Sequence, residues 1–290
     1  MNKVVLITGT SSGLGFEAAL QFAEQNYTVY ASMRNLNKKD RLLEEAAKRN
    51  TQLKIIELDV CQVASINQAV QTIQQQEGRI DILVNNAGAG FAKTTEQASE
   101  EEIQWVTEVN YLSVVRCTKA VLPWMRKQKS GHIINISSVG GLVGQPFNEL
   151  YCAAKFAVEG YTEALATYLP QNFGIHFTAI EPGGIATEFS QSATQKTMGT
   201  NGIPQDDYLP ILQKYIAGIQ ERAAQGDTQS FQQAHEVAQV ILEIAQSSAP
   251  PIRVRTSKWA ENFCQYKTNL DPKGKLQNSS VVQALLNEQV

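Results

Sequence analysis

A short buried strand that leads directly into a glycine-rich turn constrains the fold of this chain more than any other feature. Residues 3–7 form the largely apolar run KVVLI, which is typical of a strand covered on both faces of a parallel sheet. The turn that follows, residues 8–15, reads TGTSSGLG, and apolar residues at helical spacing come next. This order of strand, turn and helix predicts the first unit of an α/β fold.

Strands and helices then alternate along most of the chain. Further strands are predicted at 28–32, 53–58, 80–84, 132–136 and 175–180, with a short edge strand at 252–254. Helices are predicted at 14–24, 36–49, 63–76, 101–127, 151–171 and 231–246. Because connections between parallel strands are right-handed, the prediction is an α/β protein with a single-domain Rossmann fold: a doubly wound parallel sheet of about seven strands with helices on both faces.

Two segments break the alternation and define the expected organisation. We expect a Rossmann-type catalytic domain at residues 1–255, with an insert at about 187–230, and a C-terminal extension at 256–290. Apolar residues at helical spacing around Leu212 predict an amphipathic helix in the insert, which could cover the site as a lid or pack on the domain core. The extension could cover the pocket, contact a neighbouring subunit or be mobile.

Composition and charge exclude several classes of protein. The 290 residues are 43% hydrophobic and 18% charged, which fits a folded chain, and the net charge of −3 gives no overall positive field for nucleic acid or anionic lipid. No apolar run is long enough for a membrane span or a signal peptide. Four cysteines without a CxxC pair and three scattered histidines argue against disulfide and metal frameworks. We therefore expect a cytoplasmic protein with no metal, membrane span or nucleic-acid partner.

Three glycines in the first turn have the spacing of a phosphate-binding loop. Gly9 permits a tight turn, Gly13 lets the backbone approach a pyrophosphate, and Gly15 allows the helix to pack closely on the strand. Unpaired N–H groups at the helix N-terminus would attract the phosphates. On this motif alone, a glycine-rich turn without a ligand stays open as the alternative.

Further motifs follow in a fixed order. They are NNAG at residues 85–88, Asn110, Ser138 after the fifth strand, YCAAK at 151–155 and PGGIAT at 182–187. In order and spacing the set resembles the short-chain dehydrogenase/reductase family, densely over residues 3–190 and more loosely to about 255. More narrowly, YCAAKFAVEG at 151–160 and EPG at 181–183 resemble the hydroxysteroid and retinol dehydrogenase-like members.

Tyr151 and Lys155 are candidates for acid–base chemistry because four residues separate them, so they share one face of a helix. Carbonyl reduction needs a proton donor near the developing alkoxide, and an adjacent ammonium lowers the pKa of a tyrosine. Ser138 follows strand five, where its hydroxyl could hold the substrate oxygen; by the resemblance it is preferred to Ser137, which is expected to face the sheet. The resemblance adds Asn110, which would hold a helix irregularity and a water leading from the lysine towards solvent.

The residues after strand two indicate which dinucleotide would bind. An acidic residue there would bind a ribose 2′-hydroxyl and indicate NAD, but residues 31–35 read ASMRN. Arg34 can pair with a 2′-phosphate and Ser11 can donate to it, although Arg34 could instead be a solvated charge or stack on adenine. We therefore expect NADP(H), with NAD(H) as the alternative. With the positions that the resemblance carries over, the predicted cofactor-binding set is Gly9, Ser11, Ser12, Gly13, Leu14, Gly15, Arg34, Asp59, Val60, Asn86, Ala87, Gly88, Tyr151, Lys155, Pro182, Gly183, Ile185 and Thr187.

The substrate is predicted only by its class. Apolar residues after Ser138 and in the insert form the predicted pocket: Val139, Leu142, Val143, Phe147, Tyr208 and Leu212. The pocket-lining segments contain no arginine or lysine, which argues against acyl-carrier or phosphorylated substrates. We expect an oxidoreductase that uses NADP(H) to interconvert a hydrophobic ketone or aldehyde and its alcohol, with Tyr151 as general acid and base.

Other functions remain as alternatives. A non-catalytic NADP(H)-binding regulator would be expected to lack Tyr151 or Lys155. A sugar-nucleotide epimerase or dehydratase would have a different glycine spacing and a longer C-terminal domain, and an NAD-dependent alcohol dehydrogenase would differ in its cofactor. By the resemblance, the long helices at 101–127 and 151–171 would form the interface of a homodimer or homotetramer.

Overall fold

The strands are short, and most of their residues are buried. The computed structural model describes residues 2–189, 205–224 and 231–286. The strands in these ranges are β1 Val4–Ile7, β2 Thr28–Met33, β3 Lys54–Glu57, β4 Ile82–Asn85, β5 Gly131–Ile136, β6 Ile175–Glu181, β7 Gly184–Ile185, β8 Phe231–Gln232 and β9 Arg253–Arg255. All residues of β1 and β4 are buried, as expected for strands with helices on both sides.

Helices connect the strands and cover both faces of the sheet. They are α1 Gly13–Glu24, α2 Lys39–Lys48, α3 Val63–Glu77, α4 Glu100–Thr107, α5 Ser113–Gln128, α6 Glu149–Ala166, α7 Leu169–Phe173, α8 Leu209–Ala224, α9 Ala234–Gln246, α10 Lys258–Thr268 and α11 Lys275–Leu286. The apolar faces of α1 and α9 pack on one side of the sheet, and those of α3 and α5 pack on the other. The core therefore consists of two layers separated by the sheet.

Seven strands form one parallel sheet in the order β3-β2-β1-β4-β5-β6-β9. Strand β1 lies between β2 and β4, so that Val5 pairs with both Val29 and Ile82. The direction of winding reverses here, because β2 and β3 lie on one side of β1 and the later strands lie on the other. The predicted doubly wound Rossmann fold is confirmed, and its reversal point is where ligands of such sheets bind.

Two predicted helices are interrupted in the structure. The helix predicted at 101–127 contains a π-helical turn over Glu108–Leu112, between α4 and α5. The helix predicted at 151–171 ends at Ala166, and α7 starts as a separate segment. Pro170 lies in the first turn of α7, where its missing N–H costs nothing, whereas a continued helix would have needed that donor.

The insert and the extension contain helices of their own. Helix α8 lies in the insert, and β7 and β8, which flank the insert, pair in parallel. The other parts of the predicted lid, residues 190–204 and 225–230, lie outside the described residues. In the extension, α10 and α11 follow β9. Within the described ranges, no helix has the length and apolar character needed to cross a bilayer, and no group of three His, Cys, Asp or Glu side chains could hold a metal ion.

Candidate active site

The glycine-rich turn has a backbone that excludes larger residues. Gly9 and Gly13 have φ angles of +72° and +62°, in the left-handed region that favours glycine. Gly15 is restricted by space instead, because a Cβ there would lie 2.4 Å from both Gly9 O and Asn86 Nδ2. The start of α1 is therefore packed directly against the turn at the carboxyl end of β1.

The segment after β4 is held to this turn by reciprocal hydrogen bonds. Asn86 Nδ2 donates to the carbonyl oxygens of Thr8 and Gly9, at 2.8 and 3.0 Å. Thr8 Oγ1 in turn accepts from the backbone N–H groups of Asn86 and Ala87, both at 3.0 Å. The glycine turn and the NNAG segment predicted to bind cofactor thus lie together at the reversal point of the sheet.

Several polar groups in this crevice have no protein partner within the described ranges. Ser12 is the N-cap of α1, but its side chain makes no capping hydrogen bond, and the buried hydroxyl of Ser32 is also unpaired. Thr187 approaches the turn, since a Cβ on Gly13 would lie 3.3 Å from the Thr187 Cβ. Free donors at a helix N-terminus suit the phosphates of a dinucleotide, so the residues present fit such a group.

The other predicted cofactor residues follow the carboxyl ends of neighbouring strands. Arg34 is exposed directly after β2 and forms no hydrogen bond or ion pair with another described residue. Asp59 Oδ1 accepts from the backbone N–H two residues later, at 3.0 Å. Pro182 O accepts from Val139 N–H at 3.0 Å, which joins the loop after β6 to the loop after β5. The remaining members also lie after β1, β3 and β6: Ser11, Leu14, Val60, Gly183 and Ile185.

Asn110 lies in the π-helical turn and is fully buried. Its Nδ2 donates to Val106 O at 3.1 Å and to Ala89 O at 3.0 Å, while its Oδ1 accepts from Ala89 N–H at 3.0 Å. The side chain thus joins the helix irregularity to the loop after β4. A Cβ on Gly88 would lie 3.1 Å from Asn110 Oδ1 and 3.7 Å from Lys155 Nζ, so both side chains face this glycine.

Ser138, Tyr151 and Lys155 converge beside that glycine. Ser138 Oγ accepts from Gly140 N–H at 3.0 Å, and its hydroxyl faces the Tyr151 phenol. Lys155 Nζ lies 5.7 Å from the centre of the Tyr151 ring and donates to Ile136 O at 2.8 Å. The structure therefore brings the four predicted catalytic side chains together near the carboxyl ends of β4 and β5.

Burial changes the pKa of both titratable members of this set. Burial raises the pKa of Tyr151 to about 12, against the opposing effect of the nearby Ser138 hydroxyl. Burial lowers the pKa of Lys155 to about 8, against the charge of Glu159. Tyr151 is therefore protonated at neutral pH, as a proton donor must be.

A pair of buried carboxyl groups lies behind Lys155. Glu159 is one helical turn further along α6 and Glu181 ends β6; they are 6% and 0% exposed. Arg255 Nη1 contacts Glu181 Oε2 at 2.7 Å, and the buried Ser137 faces Glu159. Burial, and then the neighbouring carboxylate, raise the pKa of Glu159 well above its ordinary value; burial raises that of Glu181 to about 7 despite Arg255. The pair therefore holds a proton near neutral pH.

The predicted pocket residues after Ser138 lie beneath the extension. Val139 and Leu142 are buried in one cluster with Ala260 and Cys264 of α10, and Val143 packs at its edge. The sequence left open whether the extension covers the pocket, contacts a neighbouring subunit or is mobile. The described part of the extension covers this predicted pocket segment.

Helix α8 approaches from the insert. Leu212 is buried, the rings of Phe147 and Tyr215 lie 5.9 Å apart, and Tyr208 Oη donates to Glu96 at 2.6 Å. Tyr208, directly before α8, and Tyr215 within it therefore contact the loops that precede α4 and α6, which brings the pocket residues predicted in the insert near Phe147.

Three residues near the site were not predicted from the sequence. The ring of Phe189 lies 6.1 Å from that of Tyr151, and Glu159 and Glu181 form the carboxyl pair. Glu159 could have been found, because it follows Lys155 at a spacing of four on the same helix face. Glu181 opens the EPG segment noted in the sequence, but nothing in that segment indicated that its carboxyl group is buried beside another.

Comparison with known proteins identifies relatives of one kind. A family model described as short chain dehydrogenase matches residues 3–198. Retinol dehydrogenase 8 of Bos taurus is 39% identical over 287 residues, covering 94% of this chain and 87% of that protein. The 17-beta-hydroxysteroid dehydrogenase type 1 of Homo sapiens is 37% identical over 268 residues, covering 88% and 77%. A crystal structure of an actinorhodin polyketide ketoreductase with NADPH matches with a TM-score of 0.77 and 26% identity, covering 90% of this chain and 98% of that one.

We expect Gly15→Ala to lower the free energy of unfolding by about 1–3 kcal/mol, because the added methyl group overlaps Gly9 O and Asn86 Nδ2. Urea unfolding measures the change. Gly160→Ala is the matched control, since a Cβ at that exposed position of α6 meets nothing within 4 Å, and helix propensity should raise stability by up to about 1 kcal/mol. Equal stability of both variants would contradict the close packing at Gly15.

We expect stability to depend on pH through the buried carboxyl pair. The raised pKa values mean that the folded state keeps a proton that the unfolded chain releases, so this stabilisation is complete below pH 4.5 and is lost as pH rises through about 7. Glu159→Gln removes one titrating group. Between about pH 5 and pH 8 its unfolding free energy should fall less than that of the wild type, because fewer protons are released.

Urea unfolding at several pH values measures this difference. Glu163→Gln is the control, because that carboxylate lies one turn further along α6, partly exposed and paired with Arg253. It should keep the wild-type dependence on pH. Parallel curves for the wild type and Glu159→Gln would show that the pair does not titrate in this range.

Proposed function

The chain belongs to the short chain dehydrogenase family, and we propose that it is an NADP(H)-dependent oxidoreductase that interconverts a hydrophobic ketone or aldehyde and the corresponding alcohol. The chain is an oxidoreductase of this family, and its relatives include enzymes named for retinol and for hydroxysteroids. The sequence predictions of family and enzyme class are thus confirmed. The cofactor, the substrate class and the part taken by Tyr151 are proposals.

The strongest support is the convergence of Ser138, Tyr151 and Lys155 beside Gly88. A hydroxyl donor, a protonated phenol and an ammonium group meet there, next to a turn whose free N–H groups fit a dinucleotide phosphate. Carbonyl reduction needs these groups together: one to hold the substrate oxygen, one to give it a proton, and one to adjust the acidity of the donor.

The reaction follows from the roles of these side chains. When bound, NADPH would supply the hydride to the carbonyl carbon. Ser138 donates a hydrogen bond to the substrate oxygen, and Tyr151 delivers its proton to that oxygen as negative charge develops. Lys155 uses one N–H on Ile136 O, which leaves two donors for the phenol and for ribose hydroxyls, and its charge stabilises the phenolate that remains. In alcohol oxidation Tyr151 takes the proton back.

The preference for NADP(H) rests on the end of β2. Arg34 is exposed there without an ion pair to any described residue, and no acidic residue occupies the position that would bind a 2′-hydroxyl. The guanidinium group can bind a 2′-phosphate through two parallel hydrogen bonds. The related ketoreductase, whose crystal structure contains NADPH, supports the same choice.

The hydrophobic substrate class rests on what surrounds Ser138. The segment that follows it is apolar and is covered by α10, and α8 adds Leu212 and Tyr215 from the insert. Retinol and hydroxysteroids, the compounds after which the related enzymes are named, are hydrophobic alcohols. We therefore propose an alcohol or carbonyl compound with a large apolar body.

We also propose the organisation that the sequence predicts. The catalytic domain would span 1–255, with 187–230 as a lid and 256–290 as part of the pocket wall. A homodimer or homotetramer would form through α5 and α6, which expose Trp124 and Phe156 respectively. The protein would act in the cytoplasm.

Tyr151→Phe should lower kcat for reduction of hydrophobic ketones by about 10²- to 10⁴-fold, because it removes the proton donor and keeps the ring. Oxidation of NADPH, followed by its absorbance, gives the rate. Tyr168→Phe is the matched control, since it removes a phenol hydroxyl from a tyrosine exposed just beyond α6, and should keep wild-type activity. Comparable activity of Tyr151→Phe and the wild type would refute the proposed acid.

Arg34→Ala should raise the Kd for NADPH by about 10- to 100-fold, because a charge-assisted bond to the 2′-phosphate is lost. The Kd for NADH should stay within about twofold. Titration followed by intrinsic fluorescence measures both. Lys38→Ala, which removes another exposed cation after β2, should change neither value. Equal affinity of the wild type for the two cofactors would favour the NAD-dependent alternative.

A further inference from the structure

A buried arginine at the end of β9 joins separate segments of the chain. The side chain of Arg255 is 2% exposed, and its Nη1 contacts Glu181 Oε2 at the end of β6 at 2.7 Å. Its Nε contacts Glu261 Oε2 on α10, also at 2.7 Å, and its Nη2 donates to Pro272 O in the turn before α11. The fork of one guanidinium group therefore holds the sheet, α10 and the start of α11 in a fixed relation.

The carboxyl group that Arg255 contacts belongs to the segment paired with Ser138. The residues before and after Ser138 donate backbone hydrogen bonds to the residues before and after Glu181: Ser137 N–H to Ile180 O at 2.8 Å, and Val139 N–H to Pro182 O at 3.0 Å. These hydrogen bonds continue the pairing of β5 with β6 beyond the last residue of β5. The backbone at Glu181 therefore sets the position of the backbone at Ser138.

A second buried carboxyl group packs against the turn that Ser138 begins. Ser138 is the N-cap of the short helical turn Val139–Gly141. A Cβ on Gly141 would lie 2.6 Å from Ser137 Oγ and 3.1 Å from Glu159 Oε1, so no free space separates this turn from the side chains behind it. A movement of the carboxyl pair would therefore displace the turn, and with it the hydroxyl of Ser138.

Arg255 balances the charge of this pair. Glu159 and Glu181 face each other in the interior, and within the described ranges Arg255 is the only cation that forms an ion pair with either of them. Without it, Glu181 would face a second carboxyl group in a site that water hardly reaches, where like charges repel strongly. The arrangement of the carboxyl pair therefore depends on Arg255.

Helix α10 closes the other side of the same loop. Val139 and Leu142, which follow Ser138, pack in one cluster with residues of α10. The contact of Arg255 with Glu261 anchors the first turn of that helix. The loop that carries Ser138 thus lies between α10 and the carboxyl pair, and Arg255 contacts both.

We propose that Arg255 is a positioning residue for the candidate active site: through Glu181 it holds the loop that places the Ser138 hydroxyl, and through Glu261 it holds the helix that covers this loop. Arg255 would act on the reaction through Ser138 and not on the substrate itself. The effect on the reaction rests on the proposed function, whereas the effect on the loop can be measured without substrate or cofactor.

A double-mutant cycle in kcat for reduction of a hydrophobic ketone tests the assignment. Arg255→Gln should lower kcat by about 10- to 100-fold, because a small displacement of the group that holds the substrate oxygen is costly. In the background of Ser138→Ala the same substitution should lower kcat by less than about twofold, since the group through which it acts is already absent. A loss of stability alone would lower kcat equally in both backgrounds.

Hydrogen exchange, followed by mass spectrometry, measures the loop directly. In Arg255→Gln the backbone amides of residues 137–142 should exchange at least about tenfold faster than in the wild type, whereas those of α3 should keep their rate. Arg255→Lys keeps a positive charge beside Glu181 but cannot reach all three partners, so it should show both effects at smaller size. It carries the two tests if Arg255→Gln does not fold.

The control is Arg49→Gln, which removes another arginine that contacts several carboxylates: Glu17, Glu24 and Glu45. Arg49 directly follows α2, in the half of the fold that contains β2 and β3. The variant should keep the wild-type kcat and the wild-type exchange of residues 137–142. Urea unfolding establishes that each variant is folded under the conditions of the assays.

Equal kcat of Arg255→Gln and the wild type would refute the assignment, as would an equal loss of kcat in the two backgrounds. A rise in exchange of the same size in residues 137–142 and in α3 would show a general loss of stability instead of a local effect. If Ser138→Ala itself kept the wild-type kcat, the part that the proposed function gives to this serine would fail. The exchange of residues 137–142 would then decide whether Arg255 holds the loop.

Discussion

The two hydrogen bonds that Asn86 donates to Thr8 and Gly9 hold together the loops on which the rest of the site depends. Parallel strands bring the loops after β1 and β4 to the same edge of the sheet, but do not by themselves join them. The missing Cβ of Gly15 leaves the space in which the Asn86 amide lies. Gly15 is therefore needed for two contacts: the one between the loops after β1 and β4, and the packing of α1 on β1.

Features encoded by neighbouring residues could be predicted, and features that depend on distant contacts could not. Buried strands are visible as continuous apolar runs, and the pair Tyr151 and Lys155 is visible by its spacing of four, because both signals lie in neighbouring residues. The contact of Arg255 with Glu181 joins residues that are 74 apart in the chain, and no sequence pattern near either residue predicts this ion pair. The π-helical turn was expected only from the resemblance, since apolar spacing continues on both sides of Asn110. The helix end at Ala166 was missed although Pro170 follows it.

One face of α6 carries a row of titratable side chains that leads from the candidate active site to the buried carboxyl pair. Tyr151, Lys155 and Glu159 follow at intervals of four, so a proton donor, a cation and a buried carboxyl group lie in a row. Burial acts against the charged forms of all three, raising the pKa of the acids and lowering that of the lysine. Burial therefore favours the neutral forms of all three side chains along this face.

The position of α10 over Val139 and Leu142 separates the segment that covers the predicted pocket from the segments that carry the candidate acid–base residues. The two are joined through Glu261, which pairs with Arg255 and through it reaches Glu181. The turn, the candidate catalytic side chains and strands β1 to β6 all precede β9, whereas the cover of the predicted pocket segment comes from residues after it. Mutations in the last helices can therefore accumulate without touching the acid–base residues. A descendant altered only beyond β9 would inherit the same reaction and could acquire a different substrate.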